Sequence, residues 1–128
     1  MTTLSESARQ GDFLRWELEP NFCREEVMTV AVAALKKGQV LAILTSDGKY
    51  YPSVDGVSSG LENPVGILLE DMAITTGRTA VVLLRFAILV PGDMIWGASY
   101  DSAGKIAAGV AKLKSASNIL VVPAAKYV

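Results

Sequence analysis

The stretch Thr79–Val90 constrains the fold most strongly. Apart from Arg85 it is almost entirely apolar, on residues that would face both sides of a strand. Such a strand belongs in the middle of a sheet, with neighbours on both edges and a packed layer on each face. It reads as the longest β segment of the chain, broken by Pro91-Gly92-Asp93 and resuming briefly at Met94–Trp96.

The flanking sequence supplies short segments to pair with it. Phe13–Glu19 alternates, with Phe13, Arg15, Glu17 and Glu19 on one side and Leu14, Trp16 and Leu18 on the other, as in a half-buried strand ended by Pro20. Glu26–Leu35 fits two periods. Val27, Val30, Ala31 and Ala34 suit a helix, whereas Met28, Val30 and Val32 suit a strand, and the β-branched residues favour the strand. Val40–Leu44 is an apolar strand. Asp47-Gly48 makes a tight hairpin turn, and Tyr50-Tyr51-Pro52 begins the return. Asp55–Pro64 is a loop, Val65–Leu69 a strand and Thr75–Arg78 a turn.

One helix is expected, over Ser102–Lys114. Ile106, Val110 and Leu113 recur at helical spacing, Asp101 or Ser102 can cap the start, and Asn118 can take the left-handed turn that closes it. Ile119–Val122 is a last strand before Pro123. The expectation is a mostly β chain with a small α+β subdomain: residues 1–12 as a flexible N-terminal arm and 13–128 as one compact domain.

The residue inventory removes several chemistries. The 128 residues include no histidine and one cysteine, so the common nucleophilic triads lack their base and no intrachain disulfide can form. Cys23 reads as a small buried apolar residue. Glu70-Asp71 is the best adjacent carboxylate pair, but neighbours on a strand point opposite ways, so it reads as a solvated strand end. No phosphate-binding glycine loop appears. No catalytic residue, metal ligand or cofactor is expected. Net charge is −1 with no basic stripe, which speaks against nucleic-acid binding, and the apolar runs are too short and interrupted for a membrane helix. A disulfide-free chain suits synthesis in the cytoplasm.

The chain is nevertheless 51% apolar with a mean hydropathy of +0.36. Two readings fit: additional area buried between subunits, or a core rich in Ala and Val. Trp16, on an edge-like strand beside the arm, suits an interface as well as a core; Trp96 suits a core or a subunit contact. The arm is either a terminus without a role or a segment that orders on a partner by adding a strand to its sheet.

The order of motifs resembles the lambda-type head decoration protein family. The opening Trp16-Glu17-Leu18-Glu19-Pro20-Asn21-Phe22-Cys23-Arg24-Glu25-Glu26-Val27 is similar to the family's first motif, with Cys23 where Ser is usual and an additional residue around Met28. Gly38-Gln39-Val40-Leu41-Ala42, Gly48-Lys49-Tyr50 with Tyr51-Pro52, Val65-Gly66-Ile67-Leu68-Leu69 and Ala80–Ala87 follow in family order. Asn118-Ile119-Leu120-Val121-Val122 resembles the closing motif, with Asn118 in place of Gly.

The resemblance runs over about residues 13–122. It implies a non-enzymatic module on the outside of an expanded phage head, bound to the major capsid protein as a homotrimer at three-fold and quasi-three-fold sites and holding the shell against internal DNA pressure. It implies an N-terminal arm that is disordered when free and ordered on the capsid; the expectation for this chain is that Thr2–Asp12, with Thr2, Thr3 and Leu4 in it, orders on the shell and that Phe13, Leu14 and Trp16 anchor it. Tyr50, Tyr51 and Trp96 are the candidate trimer contacts. The alternatives are a trimeric β-fold nucleotide hydrolase of the dUTPase type, whose surrounding motifs do not match, and another phage structural or tail module. A lipoyl-like carrier would need an exposed hairpin lysine, for which only Lys49 is near.

Overall fold

A computed structural model describes residues 14–89 and 94–121. The described chain runs β1 (Leu14–Glu17), α1 (Pro20–Cys23), β2 (Arg24–Ala31), β3 (Val40–Ile43), β4 (Tyr50–Pro52), β5 (Pro64–Leu68), β6 (Thr75–Leu83), β7 (Ala87–Leu89), α2 (Ala103–Ser117) and β8 (Ile119–Val121). Five strands close a barrel in the order β2-β4-β3-β5-β6, and β1-β7-β8 form a separate three-stranded sheet.

Side-chain alternation across the barrel wall builds two cores. In the ladder β3-β5-β6, Val40 pairs with Ile67 and Ile67 with Leu83, and these three point out of the barrel. Their chain neighbours Leu41, Leu68 and Val82 point in, and with Ala31, Leu35, Met72 and Ala80 they fill the barrel. The outward set joins Cys23, Leu69, Ala87, Leu89, Met94, Leu113 and Ile119 in a second core beneath the small sheet and α2. A wall strand packed on both faces must be apolar on both, which is why β6 reads that way in the sequence.

The single strand expected over Thr79–Val90 is in fact two, and Val90 lies outside the described residues. β6 ends at Leu83, and the chain leaves the barrel through Leu84–Phe86 to enter the other sheet as β7. Phe86 makes the corner with φ +52°, a left-handed conformation that a bulky side chain rarely adopts. The N–H groups of Leu84 and Phe86 donate to the carbonyls of Cys23 and Ser117, which holds the corner in place.

Thr75–Arg78, expected as a turn, is the start of β6. Gly77 at φ +151° absorbs a register shift opposite Thr29–Ala31, so pairing continues through a segment whose composition suggests a turn. β2 is a strand as favoured, but it ends at Ala31, and Leu35 makes only an isolated bridge to Met72. Met94–Trp96 contributes a single bridge, Gln39 to Ile95. Pro20, expected only as a strand stop, also begins the short helix α1.

The hairpin and the long helix form as expected. Gly48 takes φ +72° between β3 and β4, and Asp47 accepts the Lys49 N–H at 2.9 Å. Ser102 caps α2 by accepting the Lys105 N–H at 3.3 Å, and Asn118 closes it at φ 53°, ψ 38°. Ser102→Ala is expected to cost about 1 kcal/mol of stability. Urea unfolding at unchanged slope checks this.

Candidate interaction surface

The three-stranded sheet has one buried and one open face. Ala87, Leu89 and Ile119 point into the second core. On the other face the register aligns Trp16 with Ile88 and Ile88 with Leu120, so three large apolar side chains form a row across all three strands. Trp16 is 48% exposed and Leu120 38%. Among the described residues β1 pairs only with β7 and its other edge has no strand partner; residues 1–13 immediately precede it in the sequence. An aromatic anchor on a free strand edge suits recognition of another polypeptide.

The alternation expected for Phe13–Glu19 buries Leu14, Trp16 and Leu18 together. The structure buries only the first. Leu14 packs on the second core, whereas Trp16 and Leu18 are exposed, because the β1–β7 pairing shifts register between Leu14 and Trp16. A bulge of this kind re-aims the side chains that follow it. The strand is then pinned: Arg24 Nε donates to both Glu17 carboxylate oxygens at 3.1 and 3.0 Å, and the Leu18 N–H donates to the Phe86 carbonyl at 3.1 Å.

Beyond β1 lies an aromatic cluster absent from the sequence-based expectations. Phe22 and Phe86 stack with ring centroids 5.7 Å apart, and the Arg85 guanidinium sits 5.2 Å from the Phe22 ring centre. Arg85 also donates to the Phe22 carbonyl and to Glu25. Phe22 is 48% exposed and Phe86 37%. Beneath them the buried Cys23 accepts the Glu19 N–H through sulfur at 3.4 Å and donates to the Phe86 carbonyl at 3.6 Å. Apolar residues next to core strands read as core, so nothing in the sequence marked Leu18, Phe22, Phe86 or Leu120 as exposed.

The remaining candidates are spread over the molecule. Thr2, Thr3, Leu4 and Phe13 lie outside the described residues. Tyr50 is half-buried at a cleft of about 380 Å³ lined by Ile43, Val65, Leu84, Arg85 and Phe86; burial and then the Glu25 charge push its hydroxyl pKa up. Tyr51 donates its hydroxyl to Asp47 at 2.7 Å, which raises its own pKa; Asp47 is lowered first by the Lys49 N–H and then by this bond. Trp96 packs inward, 4.8 Å from the Tyr100 ring and against Gly109.

The carboxylate pair is bound up in the fold. Glu70 accepts the Val81 N–H at 2.7 Å and pairs with Arg78 at 3.3 Å, while Asp71 accepts the Lys37 N–H at 3.0 Å. Glu70 is thus a structural bond at a strand end rather than a merely solvated group. Among the described residues no group of three or more His, Cys, Asp or Glu could hold a metal ion.

A small barrel with an attached sheet and helix, with exposed aromatic side chains at Trp16 on β1, Phe22 on α1 and Phe86 at the corner before β7, defines a β-rich module with a candidate binding face. The family model for bacteriophage lambda head decoration protein D matches residues 3–119, and the chain belongs to that family of structural capsid proteins. No curated protein matches it.

Proposed function

We propose that the protein binds the outer surface of the expanded phage head as a homotrimer, at three-fold and quasi-three-fold sites, and holds the shell against internal DNA pressure. The observation that carries this reading is the family match, which extends from residue 3, through the segment ahead of β1, to residue 119. The free β1 edge with Trp16 exposed beside it supports the same reading. Residues Thr2–Asp12, with Thr2, Thr3 and Leu4 among them, add to a strand of the major capsid protein, and Phe13, Leu14 and Trp16 anchor them, Leu14 by fixing β1 to the core. Three arms on one trimer multiply a weak contact, because binding of the first raises the effective concentration of the others. A shell that has not expanded presents the wrong spacing.

The protein acts without catalysis, is made in the host cytoplasm and works on the virion. DNA-filled heads lacking the protein, challenged by heat or chelator, test the reading. Added protein should raise the temperature at which the DNA becomes nuclease-sensitive. An unchanged release temperature at saturating protein would remove the stabilising role.

A further inference from the structure

β8 is the outer strand of the small sheet and pairs only with β7 among the described residues. Asn118 joins it to α2 through a left-handed turn, so the strand doubles back along the helix. The two leave a groove of about 360 Å³, lined by Ala107, Val110, Ala111 and Lys114 of the helix and by Leu120 and Val121 of the strand. Val110 and Val121 are half-buried, and Ala107 and Ala111 are exposed. Of the six side chains only Lys114 is charged. An apolar groove beside an unpaired outer strand invites adhesion to another chain, and stable proteins cover such edges.

We infer that residues 122–128 of the same chain fold over this groove and close it. They follow Val121, itself a wall of the groove, so the segment starts inside it. Val122, Pro123, Ala124, Ala125, Tyr127 and Val128 are apolar, and Lys126 is the one charge. From Ala107 to Lys114 the helix rises about 10 Å at 1.5 Å per residue. Seven extended residues reach up to about 23 Å, so the segment spans the groove with length to spare. The short side chains at 107 and 111 leave room for it.

The covalent tether decides between this occupant and a foreign peptide. It holds the segment at an effective concentration of about millimolar, which a free peptide must outcompete. Pro123 restricts the undocked segment and so lowers the entropy lost on docking. The family match ends at residue 119, so the cover is a feature of this chain's own sequence. With the β8 side closed, β1 is left as the edge for a partner. The inference does not depend on shell binding.

Thiol labelling tests it. The Ala111→Cys thiol should react at least roughly 10-fold more slowly in the 128-residue chain than in a chain stopped after Val121, as expected for a site that must open to be reached. Ala108→Cys, exposed on the same helix outside the groove, should react equally fast in both. Cys23 is fully buried and gives only a slow background. Val122→Ser/Tyr127→Ser in the 128-residue chain repeats the comparison without truncation and should speed the Ala111→Cys reaction. Ala107→Glu should lower the melting temperature of the 128-residue chain and leave that of the shortened chain unchanged, because the two changes remove one contact.

Equal labelling at position 111 with and without residues 122–128 would overturn the inference. So would an Ala107→Glu effect of the same size in both chains, or protection that appears only when phage heads are added, which would make the groove a shell contact instead.

Discussion

If the proposed trimer holds the shell by its arms, removing residues 1–13 should cut the apparent affinity for expanded heads by on the order of 10²-fold or more, because three weak contacts would be lost together. The barrel and sheet should survive. Among the described residues both cores are built from buried side chains within 23–119, with Leu14 of β1 packed against the second. Circular dichroism and the thermal midpoint should therefore change little while head binding collapses. Trp16→Ala separates the edge-strand anchor from the arm. Its side chain is 48% exposed, so stability should move by less than about 1 kcal/mol while binding falls measurably. Equilibrium titration of heads with each variant is the measurement. Full binding by the truncated chain would place the contact elsewhere on the module.

The largest stability effect is expected from Leu83→Ala. Leu83 is fully buried at the end of β6, packs in the second core and pairs with Ile67 across the barrel wall. Truncation there removes apolar contact and leaves a cavity that the rigid wall cannot close, a loss of about 2–5 kcal/mol. A domain of this size has roughly 5–15 kcal/mol in total, so the variant should unfold at a midpoint lower by roughly 10 °C or more. Leu120→Ala, on the open face, should cost less than about 1 kcal/mol and serves as the control. Calorimetry of the two variants beside the wild type checks both. Equal losses would mean that Leu120 is as firmly packed as Leu83.

Elements with a local cause were legible in the sequence. Ser102 and Asn118 cap α2 through their own side chain and backbone, and Asp47-Gly48 closes its hairpin without outside help. β3 and β5 stood out because a barrel wall packed on both faces needs unbroken apolar residues. The misreadings share a different cause. The corner at Phe86, the bulge after Leu14 and the pairing across Gly77 are set by partners far along the chain, Ser117, Leu89 and Thr29, and local composition carries no trace of them. The exposed aromatics were missed for the same reason. Phe86 stands between apolar runs and reads as core, and only the change of sheet at that residue turns it toward Phe22. Trp16 was legible as an interface candidate because its strand ends at a proline and follows a polar segment. The sequence supports Tyr50, Tyr51 and Trp96 only as large amphipathic side chains. In the fold, Tyr51 bonds to Asp47 and Trp96 packs on Tyr100.

The most direct test of the account is sedimentation of the protein with heads assembled from the major capsid protein of its own phage, before and after expansion. Saturable binding to expanded heads, three copies per site, and none to unexpanded ones is the expected result. Protein left in the supernatant with both kinds of head would contradict it.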